Sequence, residues 1–284
     1  MPRKKKKKIS TLVDDILNLI DIGVEDISKT NLKNFLDTLK EETVRFLEPS
    51  EGERKRLRLS AVGRHNRQLW FEINDPIKRK EGPQLRMRFF YGHILEALLL
   101  FLAKEAGHDV KHQQKEVILE GVKGHIDAVI DGVLVDLKSA SDYGFKKFQN
   151  GGVFNSDPFG YIGQISSYME AMDIEEGAFF VINKNSGNIT LMMMDELSTI
   201  NASKRVSELK EIVQSDEIPA RCYEDIPHGT SGNHVLQNGC VFCHYKNRCW
   251  SHSNDGAGLR VFDYSNGQKY FTKVLKEPNV AEVI

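Results

Sequence analysis

The stretch Ile126-Asp127-Ala128-Val129-Ile130-Asp131-Gly132-Val133-Leu134-Val135-Asp136-Leu137-Lys138 constrains the fold of this chain more than any other. Asp131-Gly132 between two apolar runs predicts a two-residue β-hairpin loop. Ile130 then faces Val133. Counting outward sets Asp127 opposite Asp136, with the Cβ atoms of such directly opposed residues about 5 Å apart on one face. Lys138, two residues past Asp136, projects from the same face. Like charges opposed across a ladder destabilise it unless something compensates them, and a divalent cation held by hard oxygen ligands does so. Mg2+ or Mn2+ suits this donor set. A lysine beside it suits positioning or deprotonating water and stabilising charge on a phosphate. A solvated hairpin face with one Asp–Lys ion pair accounts for one aspartate. It leaves a second in a run otherwise made of Val, Leu, Ile and Ala.

The remaining pattern predicts an α/β fold. Ser10 or Thr11 caps a short amphipathic helix running to about Ile20. Leu32, Phe35, Leu36, Leu39 and Leu47 recur at helical spacing and mark a second helix that stops near Pro49. Residues 51–58 read as a charged linker, 60–70 as a helix, and 85–106 as a long helix closed by Gly107. Strands are predicted at 117–119, 126–130 and 133–137, a helix at 160–172, a strand pair at 178–183 and 189–194, and a helix at 197–213. The rest is rich in Cys, His and Gly with little periodicity. With 284 residues and 40% hydrophobic content, the chain is long enough for a sizeable core. The expected organisation is a basic tail and N-terminal helices over 1–58, a catalytic core over 59–215, and a cysteine-containing extension over 216–284 packed on that core.

The net charge of −1 excludes a global basic field. Positive charge is local, in the run from Arg3 to Lys8 and in Arg54, Lys55, Arg56, Arg58, Arg64 and Arg67. Such clusters are solvated arms or nucleic-acid contacts. No 18-residue apolar stretch is present, which predicts no membrane span, and Asp14 and Asp15 interrupt any apolar signal core. The expectation is a cytoplasmic, intracellular protein.

Four further residues bear on the site. Glu96 sits in Ile94-Leu95-Glu96-Ala97-Leu98-Leu99-Leu100. A carboxylate there either lies on a polar stripe or is buried, which is costly unless it is paired or coordinating. Gly92, one turn earlier, would permit a close backbone approach. Gln164 and Tyr168, four residues apart, share a helix face.

Together these residues resemble the PD-(D/E)XK nuclease superfamily, in its RecB-like exonuclease branch. Gly92-His93-Ile94-Leu95-Glu96 resembles that branch's first motif, Gly124-His125-Ile126-Asp127 the second, Asp136-Leu137-Lys138 the central Asp-x-Lys, and Gln164 with Tyr168 the Gln-x-x-x-Tyr motif. The resemblance covers residues 60–185 or so and implies a restriction-endonuclease-like core, a central mixed sheet flanked by helices. It implies metal ligands from Glu96, Asp127, Asp136 and the Leu137 carbonyl, with Lys138, Gln164 and Tyr168 completing the catalytic set. Residues 60–70 also resemble the opening segment of the CRISPR-associated adaptation exonucleases and AddB-type nucleases.

Cys240-x-x-Cys243-x5-Cys249 has the spacing of metal ligands. In the iron–sulfur subgroup of that family, three such cysteines join an N-terminal one around a four-iron–four-sulfur (4Fe-4S) cluster. Here His65 stands at that N-terminal position, a departure that leaves His65 and Cys222 as candidates for the fourth ligand, with His65 favoured by its place in the family-like segment. Three Cys and one His suit structural Zn2+, whereas a cluster usually takes four Cys. Either centre would tie the C-terminal extension to the N-terminal segment.

The sequence therefore predicts a metal-dependent DNA exonuclease acting in recombination, repair or replication. Its partners would be DNA, single-stranded or with free ends, and other recombination or replication proteins. A structure-specific or restriction-type endonuclease is the alternative on the same chemistry. A nonenzymatic, zinc-stabilised nucleic-acid-binding module is the alternative from another class; it gives no reason for Asp127, Asp136 and Lys138 to share a face.

Overall fold

A computed structural model describes residues 6–48, 56–77 and 82–283. In chain order its elements are α1 (Leu12–Ile22), α2 (Lys29–Leu47), α3 (Asn66–Asn74), α4 (Pro83–Glu105), β1 (Val110–Lys111), β2 (Glu116–Leu119), β3 (Val122–His125), β4 (Ala128–Ile130), β5 (Val133–Ala140), α5 (Asp142–Gln149), α6 (Gly152–Asn155), α7 (Tyr161–Met172), β6 (Gly177–Asn183), β7 (Ile189–Met193), α8 (Ala202–Gln214), β8 (Ile226–His228), β9 (Asn233–Val235), α9 (Asn238–Val241), α10 (Lys246–Cys249), β10 (Arg260–Tyr264) and β11 (Gly267–Lys273). The described residues fall into two compact units. One lies within Met1–Glu53, Leu57–Gly63 and Lys78–Glu208, the other within Arg54–Arg56, Arg64–Ile77 and Leu209–Ile284. The segment 64–77 thus groups with the C-terminal residues, whereas the expected boundaries put it with 59–215.

The first unit is built on a five-stranded mixed sheet in the order β1-β4-β5-β6-β7, with β5 and β6 parallel and the other pairs antiparallel. Every residue of β6 is buried, as expected of a strand covered on both faces. On one face Leu12 and Ile16 of α1 and Leu99, Leu100 and Ala103 of α4 close over Val133, Val135, Leu137 and Phe180. On the other, Phe148 of α5 and Tyr161 of α7 meet Phe179 at ring distances of 5.3 and 6.3 Å. Phe179 and Phe180 are fully buried, each worth about 2–3 kcal/mol of transfer free energy. Stacking of Phe35 on Phe101 (5.0 Å) and Phe46 on Phe90 (4.5 Å) holds α2 along α4.

The hairpin forms where the sequence predicts it. Ile130 pairs with Val133, and Asp131 and Gly132 both take positive φ (53° and 97°), as this turn requires. Asp131 also anchors the turn: its Oδ2 lies 2.6 Å from Nδ1 of the buried His108, and its Oδ1 accepts from the Asp109 amide.

Several expected elements differ. The helix over 60–70 is two pieces, a 3-10 turn at Leu59–Ala61 and α3. The chain breaks at Gly63, whose backbone presses on Gly160 and Gly163; a Cβ on Gly63 would lie 2.3 Å from the Gly160 oxygen. The strand over 126–130 is also two pieces. The Ile126 amide donates to the Lys115 carbonyl and the Asp127 carbonyl accepts from the Gln114 amide, so β4 begins only at Ala128. The helix over 197–213 starts at Ala202, because the Glu170 carboxylate accepts from the Ala202 and Ser203 amides and fixes the first turn there. Thr11 stands at the N-cap of α1, but its hydroxyl donates to Asp15 rather than accepting an amide. Most of the expected linker, 51–55, lies outside the described residues.

The second unit contains α3, α9, α10 and a four-stranded sheet in the order β10-β11-β9-β8, in a stretch whose sequence shows little periodicity. Val235, Phe262 and Phe271 form its core. Trp70 and Asn74 of α3 donate to the Ser215 and Val213 carbonyls, and Phe71 stacks on Tyr245 at 5.5 Å.

Candidate active site

Strand β5 carries the centre. Val133, Val135 and Leu137 face α1 and α4, so the alternation of the pleat turns Asp136 and Lys138 to the opposite face, toward α7. Asp136 is 2% exposed. Its Oδ1 accepts from Gln164 Nε2 at 3.0 Å, and its Oδ2 lies 2.6 Å from Lys138 Nζ. That ion pair is close but poorly angled: Oδ2 has no well-formed hydrogen bond. Pairing of β4 with β5 ends at Ala128 opposite Val135. One step on, the Asp127 carboxylate accepts from the Leu137 amide at 2.7 Å, taking the place of a main-chain partner.

Glu96 reaches the same region from α4. Its Oε1 accepts from Gln114 Nε2 at 2.5 Å, from a loop in which His112 and Gln114 have positive φ. Tyr168, 2% exposed, lies behind Gln164 on α7. Its ring and Leu59 fill the space that a Cβ on Gly124 would need, which explains a glycine in β3. Gly92 marks no close approach: a Cβ there would meet only Ser139 Oγ at an ordinary 3.7 Å. His93 and His125 are exposed.

The electrostatics follow from three carboxylates against one ammonium. Burial, then the Asp136 charge, lifts Glu96 to about 7 against the pull of Gln114 and Lys138. Burial, then the Asp136 and Glu96 charges, pushes Asp127 well above the carboxylate range. Burial raises Asp136 too, with Lys138 opposing it. For Lys138 burial works downward, but Asp136 and Asp127 outweigh it and hold the ammonium protonated above the usual lysine value. Burial likewise raises Tyr168, helped by Asp136 and Asp127.

Sequence reasoning missed Gln114 and Tyr161. Tyr161 carries Lys138 Nζ 5.0 Å from its ring centroid. Its signal was available: Tyr161, Gln164 and Tyr168 fall at i, i+3 and i+7, one face of a helix. Gln114 had no local signal, since a loop places it.

The site's donors fit a hard divalent cation in kind and in charge. As the side chains stand, no three His, Cys, Asp or Glu among the described residues converge closely enough to grip one ion. Glu96 is turned to Gln114 and Asp127 to Leu137.

In the second unit, Cys222, Cys240, Cys243, Cys249 and His65 line one cavity. Burial, then the neighbouring thiols, pushes Cys240 up to about 11, and burial raises Cys222 as well. Arg67 Nε donates to Cys249 Sγ at 3.0 Å, and Arg221 and Lys246 line the same cavity. His65 Nε2 is 2.7 Å from the Tyr223 hydroxyl.

No family model matches the chain, and no curated protein matches it. Among solved structures, one titled as that of SSO0001 is 16% identical over 74% of this chain and 93% of that one, at a TM-score of 0.42. The alkaline exonuclease LHK-Exo from Laribacter hongkongensis is 14% identical over 62% and 94%, at 0.35. A phage-related exonuclease from Haemophilus somnus 129PT is 14% identical over 74% and 91%, at 0.29. Identities and TM-scores this low carry no activity across to this chain.

Proposed function

We propose that this chain is a metal-dependent DNA nuclease of the PD-(D/E)XK kind, cutting phosphodiester bonds from DNA ends. The observation that carries the reading is the concentration of Glu96, Asp127 and Asp136 around one lysine, in surroundings that raise all three carboxylate pKa values. Ionised together they leave two negative charges unbalanced in a poorly solvated place. A structural ion pair needs one carboxylate; a divalent-cation site uses the surplus.

Glu96, Asp127 and Asp136 would hold Mg2+ or Mn2+, which supplies Lewis-acid polarisation of the phosphate. Gln164 fixes Asp136 through Oδ1 and leaves Oδ2 without a well-formed hydrogen bond. The Leu137 amide fixes Asp127. Lys138, kept protonated by its two aspartates, sets an ammonium where charge grows on the phosphate oxygens as water adds and the ester oxygen leaves.

The cysteine cavity is the candidate for a structural thiolate centre, iron–sulfur or zinc, although its thiols as they stand do not converge on one point. The cavity gathers four thiols beside three cations that offset their charge when ionised. Cys222 is taken as the fourth ligand over His65, the residue favoured by the sequence, because all four cysteines line the one cavity whereas His65 Nε2 lies 2.7 Å from the Tyr223 hydroxyl.

The test is purified protein with Mg2+ or Mn2+ on end-labelled linear DNA and closed circular DNA. Metal-dependent loss of the linear form alone is expected. Equal cutting of circles would favour the endonuclease reading, and metal-dependent DNA binding without cleavage the nonenzymatic one.

A further inference from the structure

The turn Asp157-Pro158-Phe159-Gly160 leads directly into α7 and holds an aromatic ring in solvent, with Phe159 60% exposed. The turn is firmly built. Asp157 Oδ2 accepts from the Ile162 amide at 2.8 Å, and the Gly160 amide donates to the Asp157 carbonyl at 3.3 Å. Gly160 adopts φ +78° and packs backbone to backbone on Gly63.

The ring itself is aligned. Phe159 stacks on Tyr161 at 5.5 Å with 28° between the planes. Tyr161 is braced behind by Phe148 at 5.8 Å and by Phe179. On Tyr161 in turn sits Lys138, its ammonium 5.0 Å from the ring centroid. A single exposed apolar side chain is common and needs no explanation. An exposed ring on a braced turn, stacked on the same tyrosine that the candidate catalytic lysine contacts, is a different object.

We propose that Phe159 is a stacking platform for an unpaired base close to the phosphate being cut, so that the site takes single-stranded or frayed DNA ends. The inference rests on the nuclease reading and deepens it. A phosphate held at Lys138 leaves the Phe159 ring within one or two nucleotides of an extended strand. Every base has a face to stack, so the contact carries no sequence preference. A base inside a duplex is already stacked and paired and gains nothing from the platform. The occupant is a nucleic-acid strand because Tyr161 brings an exposed aromatic face and a cation together, the two groups that single strands engage.

The test compares the parent with Phe159→Ala and Phe159→Trp. Binding of a fluorescent single-stranded oligonucleotide is measured in EDTA, and cleavage is measured in Mg2+ or Mn2+. Phe159→Ala should weaken single-strand binding about 10-fold, and Phe159→Trp should restore it. An abasic nucleotide moved along the strand should, at one position, cost the parent a similar factor and the alanine variant nothing further. Blunt duplex binding should change little. Unaltered single-strand binding by Phe159→Ala, or an abasic penalty equal in parent and variant, would overturn the platform. Absence of metal-dependent cleavage by the parent would overturn the nuclease reading instead, while the EDTA measurements still decide the platform.

Discussion

Glu96→Gln removes one of the three buried charges while keeping the side chain's shape and its acceptor for Gln114. Burial first, and then the Asp136 and Glu42 charges, raise the folded pKa of Glu96 from 4.5 to about 7. A carboxylate with a higher pKa in the folded state binds its proton more tightly there. Its contribution to stability is therefore intact below about 4.5 and is lost as pH rises through 7. At about 1.4 kcal/mol for each pKa unit, the full loss above pH 7 is about 3 kcal/mol. Partial solvent contact of the side chain reduces this to about 2 kcal/mol. Metal-free Glu96→Gln should thus be more stable than the parent by about 2 kcal/mol at pH 8 and equal to it at pH 4. Urea unfolding in EDTA at both values measures the difference. Saturating Mn2+ should then stabilise the parent and do less for the variant, because the ion binds the folded parent best. Equal stabilities at pH 8 in EDTA, or an equal gain from Mn2+, would refute the reasoning.

Asp136→Ala and Lys138→Ala should each lower cleavage about 100-fold or more in a gel assay while circular dichroism stays unchanged. Gly163→Ala should destabilise the protein by about 3 kcal/mol in urea unfolding, since the new Cβ would lie 2.4 Å from the Gly63 Cα and neither backbone can retreat cheaply. Cys222→Ser should lose a bound thiophilic metal and unfold at lower temperature, whereas His65→Ala should keep the metal. Iron with acid-labile sulfide in anaerobically purified parent marks a cluster, and zinc alone marks a zinc site; a metal lost only from His65→Ala would reverse the ligand choice.

What the sequence by itself determined was whatever depends on near neighbours. The pleat has a period of two and the Asp131-Gly132 loop has two residues, so Asp136 and Lys138 had to share a face; Asp127, expected opposite Asp136, instead lies one residue past the last pair, Ala128 with Val135, and takes the Leu137 amide. Gln164 and Tyr168 shared a helix face for the same kind of reason. A further local signal is Gly267, which takes φ +112° directly after the Ser265-Asn266 loop of the β10–β11 hairpin and pairs with Tyr264. Only the tertiary structure decided which distant groups meet. It turned Glu96 toward Gln114, split the strand at Ile126 and Asp127, and set Phe159 and Lys138 against the same Tyr161 ring. It also gathered Cys222 with Cys240, Cys243 and Cys249 and grouped 64–77 with the C-terminal residues. These contacts leave no period in the sequence. They form when packing of the sheet and helices offsets the entropy of closing long loops, and that balance is struck by the whole fold rather than by any one segment.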